Sequence, residues 1–268
     1  MAVKLYGPAN GVAKEIGHLY GSVNGVAKEI KKLYGSVNGV AKLIYGGGED
    51  NPYLTLYSAN SNTMTLNGGS IGDTVNLEYS LDGLTWTAWD YKSGGITWTG
   101  DLYLRGYDND TFAHATSVYY YFAFTSAVAI KGNIMRLLEY DEELTAIPRS
   151  YCFCGLFYNC ATLTSAPSLP AATLAEACYR QMFYGCTGLT TIPALPATTL
   201  MRNCYGQMFS ECSNIKMSTT QDSTYANTYT FGAIPSSTYA GNMFYNTGGS
   251  FTGTPTVQTL YTSNTIIR

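Results

Sequence analysis

Leu174-Ala-Glu-Ala-Cys178-Tyr-Arg-Gln-Met182-Phe183-Tyr-Gly-Cys186-Thr-Gly-Leu189-Thr-Thr-Ile-Pro193-Ala-Leu195-Pro196-Ala-Thr-Thr-Leu200 is the stretch whose reading decides the fold. Its landmarks recur every 26 residues. Cys152, Cys178 and Cys204 share one phase, and Cys160, Cys186 and Cys212 another. Phe157, Phe183 and Phe209 hold a third, and Leu163, Leu189 and Ile215 a fourth. Pro167 and Pro193, Leu169 and Leu195, and Pro170 and Pro196 complete the register. A repeat of this length implies a solenoid, because one unit cannot bury its own apolar columns and must stack on its neighbours.

Each unit reads as two halves. Leu174, Cys178 and Met182 lie at i, i+4 and i+8, which predicts a helix ending near Gly185-Cys186. Leu189 to Pro196 predicts a short strand and a proline-rich return. The expected module is a short α/β solenoid over 131–217, with Lys131 to Tyr140 leading in. Residues 218–268 are read as a degenerate repeat and cap, since Ala240-Gly-Asn-Met243-Phe244-Tyr-Asn246 echoes Met208-Phe209-Ser-Glu211. On such a scaffold the strand-face residues Thr164, Ser165, Thr190 and Thr191 are the default contact candidates. Tyr239 and Tyr245, with Tyr225 and Tyr229, add rigid amphipathic contact area.

Cys178-Tyr-Arg-Gln-Met-Phe-Tyr-Gly-Cys186-Thr-Gly-Leu-Thr-Thr-Ile-Pro-Ala-Leu-Pro-Ala-Thr-Thr-Leu200 resembles the repeats of the BspA-like leucine-rich repeat class. The resemblance spans residues 150–217 and implies a surface adhesion or recognition protein. The last full unit departs from the pattern, with Ser213-Asn-Ile215-Lys and no proline-rich return.

Upstream, residues 52–130 carry seven short strand signals: Tyr53–Tyr57, Thr63–Leu66, Thr74–Ser80, Thr85–Trp89, Ile96–Thr97, Leu102–Arg105 and Val118–Phe124. Their spacing predicts an antiparallel β-sandwich of Ig-like kind. Tyr79-Ser-Leu-Asp-Gly-Leu-Thr-Trp86-Thr-Ala-Trp89 resembles the hairpin of bacterial Ig-like and carbohydrate-binding modules. That resemblance implies a sugar-stacking platform from Trp86, Trp89 and Trp98, with Trp89 the ligand-binding candidate. The alternative puts Trp86 and Trp98 in the core. Asp108-Asn109-Asp110 lacks the glycine and terminal glutamate of a calcium loop and reads as a turn.

Residues 1–48 hold a second repeat. Leu5-Tyr-Gly, Leu19-Tyr-Gly and Leu33-Tyr-Gly recur every 14 residues, each followed by Asn-Gly-Val-Ala-Lys. Asn-Gly between apolar alternations predicts a type I′ hairpin. Val23 should then face Val26, Gly21 face Lys28 and Leu19 face Ile30, with Lys31-Lys32 at the opposite turn. The competing helix over Val26–Leu33 is disfavoured by Gly and Asn at short intervals. So narrow a meander cannot bury its apolar face alone, so Leu5, Leu19, Val23, Val26, Ile30 and Leu33 are assigned to oligomerisation and anchoring, with a homotrimer expected. Leu19-Tyr-Gly-Ser-Val-Asn-Gly-Val-Ala-Lys-Glu-Ile-Lys-Lys32 resembles tandem units in structural proteins of phages and prophages of Gram-positive gut bacteria. It implies a virion-anchoring or shaft segment. Gly46-Gly-Gly-Glu-Asp-Asn-Pro52 reads as the linker.

Charge is sparse, at 12% of 268 residues, and polarised. Residues 1–47 carry six Lys against two Glu, while the remainder is acidic. Six dispersed lysines do not argue for nucleic acid, and no apolar run approaches a membrane span. The start, Met1-Ala-Val-Lys-Leu-Tyr-Gly, shows no apolar export core. The seven Cys have no metal spacing and are expected as free buried thiols, with Cys152–Cys160-type disulfides the alternative. His18 and His114 sit in no catalytic constellation, and the acidic run Glu139, Asp141, Glu142 and Glu143 reads as a solvated loop. No cofactor or metal is expected, and no enzymatic activity. The expected function is attachment: a virion head or tail fibre binding a host-cell or mucosal glycan or protein, its N-terminal arm meeting other virion proteins. The alternatives are a bacterial surface adhesin and the binding module of a glycan-active protein.

Overall fold

The computed structural model describes residues 20–23, 26–29, 32–37, 40–46, 53–69, 74–218, 237–249 and 266–267. The chain divides into two compact units, 1–52 and 53–268. Both are β-rich. Among the described residues, α-helix is confined to α1 (Ser237–Ala240).

In the first unit, β1 (Tyr20–Val23) pairs antiparallel with β2 (Val26–Glu29), and β3 (Lys32–Val37) with β4 (Val40–Gly46). Val23 lies opposite Val26, Gly21 opposite Lys28, and Val37 opposite Val40. This is the register that the Asn-Gly repeats predict. Lys32, expected in a turn, instead opens β3 opposite Gly46. Leu5, Leu19 and Ile30 lie outside the described residues.

The second unit is built on one open sheet, which replaces the expected sandwich. Its strands are β5 (Leu54–Gly68), β6 (Leu77–Ser80), β7 (Thr87–Ala88), β8 (Ile96–Gly106), β9 (Ala113–Ala115), β10 (Val118–Phe124), β11 (Val128–Lys131) and β12 (Leu163–Ser165). They are ordered β12-β11-β5-β8-β6-β7, with β10 also on β5 and β9 on β10. All pairs are antiparallel except β11 with β12. Two pairs of expected short strands are in fact continuous. Tyr53–Tyr57 and Thr63–Leu66 merge into β5, and Ile96–Thr97 and Leu102–Arg105 into β8. The fused strands stay paired across a slip between Ser58 and Asn62 that lies opposite Gly100, whose φ is +82°.

Asn62 explains why that slip is stable. Its buried amide donates to Ser126 O at 2.9 Å, and its carbonyl oxygen accepts from Thr125 N at 3.0 Å and Ser126 N at 3.1 Å. The side chain thus supplies partners that the interrupted ladder cannot. Asn62→Ala is expected to cost roughly 3 kcal/mol by orphaning these groups, a fall in melting temperature of roughly 6–12 °C. A change below 2 °C in calorimetry would refute this role.

Beside the sheet, next to β10 and β11, lies a stack of coils whose first member is hydrogen-bonded to both strands. Phe122 N donates to Leu156 O at 2.9 Å and Phe112 N to Cys152 O at 2.7 Å. The Phe122 ring stacks on Phe157 at 5.7 Å. One apolar core therefore runs without a break from Leu54, Leu104 and Phe122 into Phe157, Phe183 and Phe209. Parallel contacts continue past β12 as single bridges, Asn133 with Ser168, Ala146 with Thr173, and Thr173 with Thr199.

The segment expected as a helix over 174–186 is a ribbon of overlapping turns. Arg180, Met182, Tyr184 and Cys186 donate to the carbonyl three residues back. Ala177, Tyr179, Gln181, Phe183 and Gly185 instead donate to Arg202, Cys204, Gly206, Met208 and Ser210 of the next coil. Every fourth residue has positive φ: Tyr151, Gly155 and Asn159; Ala177, Gln181 and Gly185; Asn203, Gln207 and Glu211. A four-residue turn period and a 3.6-residue helix both place i, i+4 and i+8 on one face, so the apolar spacing alone fits either. Burial and hydrogen bonding across 26 residues select the ribbon, because alternate N–H groups are then available to tie coil to coil.

A last sheet joins β13 (Lys216–Ser218) in parallel to β14 (Gly248–Gly249) and antiparallel to β15 (Ile266–Ile267). All seven Cys are free and buried.

Candidate functional site

The coil ribbon converts sequence repeats into columns of stacked side chains. Inside, the Phe157, Phe183, Phe209 and Phe244 rings lie 5.5–5.8 Å apart and within 8° of parallel. A second inner column holds Phe153, Tyr179 and Tyr205, at 5.9 and 6.2 Å. The residue after Phe157 and after Phe183 turns outward, whereas Ser210, after Phe209, is buried. Tyr158 and Tyr184 occupy that outer position, half-buried and stacked at 4.9 Å with rings 8° apart. Tyr119 from β10 extends the column, 5.9 Å from Tyr158, and Tyr121 lies 6.0 Å beyond it. Gly155 makes room for this: a Cβ there would stand 2.7 Å from the Tyr119 ring, and its φ of +66° suits glycine.

Polar side chains pair between neighbouring coils. Gln181 Nε2 donates to Gln207 Oε1 at 3.1 Å, bridging two coils. Asn246 Nδ2 donates to Glu211 Oε1 at 2.9 Å. Tyr245, at 41% exposure, is among the most exposed large apolar side chains. Burial, and then the carboxylate of Glu211 and the phenols of Tyr158 and Tyr245, hold the Tyr184 hydroxyl above its usual range. The hydroxyl therefore stays protonated and able to donate at neutral pH. Comparison with family models, with curated proteins and with solved structures finds no match.

Of the residues singled out from sequence, Tyr245 belongs to this surface. Tyr239 is half-buried and packs against the core. Thr190 and Thr191 are exposed on the next leg of their coil, and Ser165 is half-buried in β12. Thr164 is exposed, but its hydroxyl is already donated to Val128 O at 3.0 Å. Among the described residues, no hydrogen bond or ring contact joins these four to the tyrosines. Trp89 is withdrawn as a ligand-binding residue: it is 7% exposed, donates from Nε1 to Gly94 O and stacks on Phe122. Trp98 is also core. Trp86 alone of the three reaches the surface, where it does not form an open platform. The Arg105 guanidinium lies 3.9 Å over its ring and 4.0 Å over Tyr140, while also pairing with Glu78 at 2.7 Å.

The acidic run has structural duties. The carbonyls of Tyr140 and Glu142 accept from buried Arg136, and Glu139 accepts from Asp108 N at 3.0 Å. Asp110 pairs with Arg149 at 2.8 Å on the rim of a cleft of about 290 Å³. Sequence reasoning missed Tyr119, Tyr158 and Tyr184 as a set. The 26-residue spacing of Tyr158 and Tyr184 was a usable signal; that Tyr119 joins them depends on the sheet meeting the coils.

Proposed function

We propose that the protein is a non-enzymatic attachment protein that presents the tyrosine column to a ligand on another surface, and that its setting is a virion head or tail fibre. The observation that carries the recognition reading is the stacked pair Tyr158 and Tyr184, extended by the tilted ring of Tyr119 and neighboured by Glu211. Rigid tyrosines supply contact area at low entropic cost. The coils are read as a short solenoid of the BspA-like leucine-rich repeat class. The virion setting rests on the 14-residue repeats, whose paired strands suit a trimeric shaft meeting other virion proteins. Seven buried thiols without disulfides accord with folding in a reducing compartment, where virions assemble. A bacterial adhesin is the second reading, favoured by the resemblance of residues 150–217 to that class.

The test uses the fluorescently labelled full chain on intact Gram-positive gut bacteria and on mucin-coated surfaces. Saturable binding is expected on at least one, reduced at least tenfold in Tyr158→Ala/Tyr184→Ala with melting still cooperative. Unchanged binding by the double variant would move recognition elsewhere on the molecule. Native mass spectrometry giving a monomer would remove the trimeric fibre.

A further inference from the structure

A cleft of about 290 Å³ lies where the loops of the sheet meet the first coil. Its walls come from Thr74-Val75 before β6, from 108–114 after β8, and from Arg149 at the entry to the coils. Hydrogen bonds fix these walls in place. Asn76 N donates to Asn109 Oδ1 at 2.8 Å, and Asn109 Nδ2 donates to Asn76 O at 2.9 Å and to Leu137 O at 2.8 Å. Phe112 N ties the same loop to Cys152 O of the first coil at 2.7 Å. Asp108 stands at a φ of +52°, its N–H donated to Glu139 at 3.0 Å. A site ordered before its ligand arrives loses less free energy on binding.

Asp108, Asp110, His114 and Arg149 are the ionisable side chains of the lining. Asp110 and Arg149 pair at 2.8 Å, yet their side chains are 66% and 61% exposed, so both keep hydrogen-bonding capacity towards the solvent. Among the described residues the Asp108 carboxylate makes no hydrogen bond or ion pair. Val75, Phe112 and Val118 back the cleft with apolar groups.

We propose that this cleft binds one uncharged pyranose ring of a glycan. It is a site separate from the tyrosine column and does not rest on it. The mixture of charges selects the ligand class. An ammonium would gain the two carboxylates but meet Arg149. A carboxylate or phosphate would gain Arg149 but meet Asp108 and Asp110. A neutral ring bearing hydroxyls suits both signs, since each hydroxyl donates to a carboxylate and accepts from a guanidinium. The cleft is at the small end of ligand pockets, which begin near about 300 Å³, and so holds a single ring. A site lined to hydrogen-bond hydroxyls also rejects analogues that lack them.

The full chain is tested on an array of immobilised neutral, amino-bearing and carboxylated oligosaccharides. The neutral oligosaccharide bound best is then titrated in its free form. Binding to neutral members is expected, weakened at least tenfold in Asp108→Asn and in Arg149→Ala. Both variants should melt close to wild type, because Asn also tolerates positive φ and an exposed ion pair adds little stability. Tyr158→Ala/Tyr184→Ala should keep wild-type affinity for the same oligosaccharide. The chain has two His, and His114 lines the cleft. The free oligosaccharide should therefore shift the imidazole proton resonances that His114→Gln removes from the spectrum. Absence of neutral binding, preference for amino-bearing or carboxylated members, or wild-type affinity in either folded cleft variant overturns the proposal. Loss of binding in the double tyrosine variant does so too, by moving the sugar to the column. Should both cleft variants misfold, the His114 resonances of the wild type decide, and their failure to move at saturation overturns it.

Discussion

Between about pH 8 and pH 10 the folded signal of the reduced protein in circular dichroism is expected to collapse. The cause is the seven buried thiols. Burial pushes Cys154 and Cys204 up to about 11 and Cys212 up to about 12, and raises Cys152, Cys160, Cys178 and Cys186 as well. Several also donate hydrogen bonds that a thiolate would lose: Cys186 to Phe157 O and Cys212 to Phe183 O, both at 3.0 Å. In the unfolded chain a thiol ionises near pH 8.5. A group whose folded pKa is raised contributes its full stability below the unfolded value and loses it as pH climbs towards the folded one. Above about pH 8.5 each thiol thus removes about 1.4 kcal/mol per pH unit. The six most strongly shifted remove roughly 8 kcal/mol together in the first unit, comparable with the whole stability of a domain. Reductant should leave the neutral-pH melting temperature unchanged, and a thiol reagent at pH 8 should label no Cys until denaturant is added. A folded spectrum persisting at pH 11 would sink the account.

How much of this was legible in sequence depends on which contacts repeat. Residues separated by 26 share columns, so Phe157, Phe183 and Phe209 stack as their spacing implies. The arm register followed from Asn-Gly because a two-residue turn leaves Val23 one partner, Val26. The turn ribbon was less visible because its four-residue period mimics a helix face. Gly155, Asn159, Gly185 and Asn203 did carry a signal, since Gly and Asn tolerate positive φ. Ala177, Gln181 and Glu211 adopt the same conformation without advertising it. Such residues are held there by hydrogen bonds to the next coil, which local propensity does not encode. The long strands were hidden for a related reason. Asn60-Ser-Asn62 has turn composition, but Asn62 is buried against a loop more than 60 residues away. The proposed recognition surface was half legible: Tyr245 from composition, Tyr119 only from the meeting of sheet and coils.

Truncating the centre of the Phe column should cost more than truncating its end. Phe183 is fully buried, with Phe157 stacked on one face and Phe209 on the other, both at 5.5 Å. Phe183→Ala removes that ring from a close-packed interior that cannot collapse around it, because both neighbouring coils are fixed by backbone hydrogen bonds through Phe157 N and Phe183 N. A loss of about 4–5 kcal/mol is expected from burial and cavity together. Phe244 has one stacked neighbour in the column, Phe209, at 5.8 Å, so Phe244→Ala should lose less, about 2–3 kcal/mol. The difference has a spatial consequence. Phe157 is anchored to the sheet through Phe122, whereas the coils beyond Phe183 reach the sheet largely through the stack. Phe183→Ala should therefore loosen residues 203–247 before the sheet. Hydrogen exchange should accelerate at Tyr205, Gln207 and Phe209 while β5 and β8 keep their protection. Equal losses in the two variants, or faster exchange spread evenly over sheet and coils, would show that the stack does not transmit stability along its length.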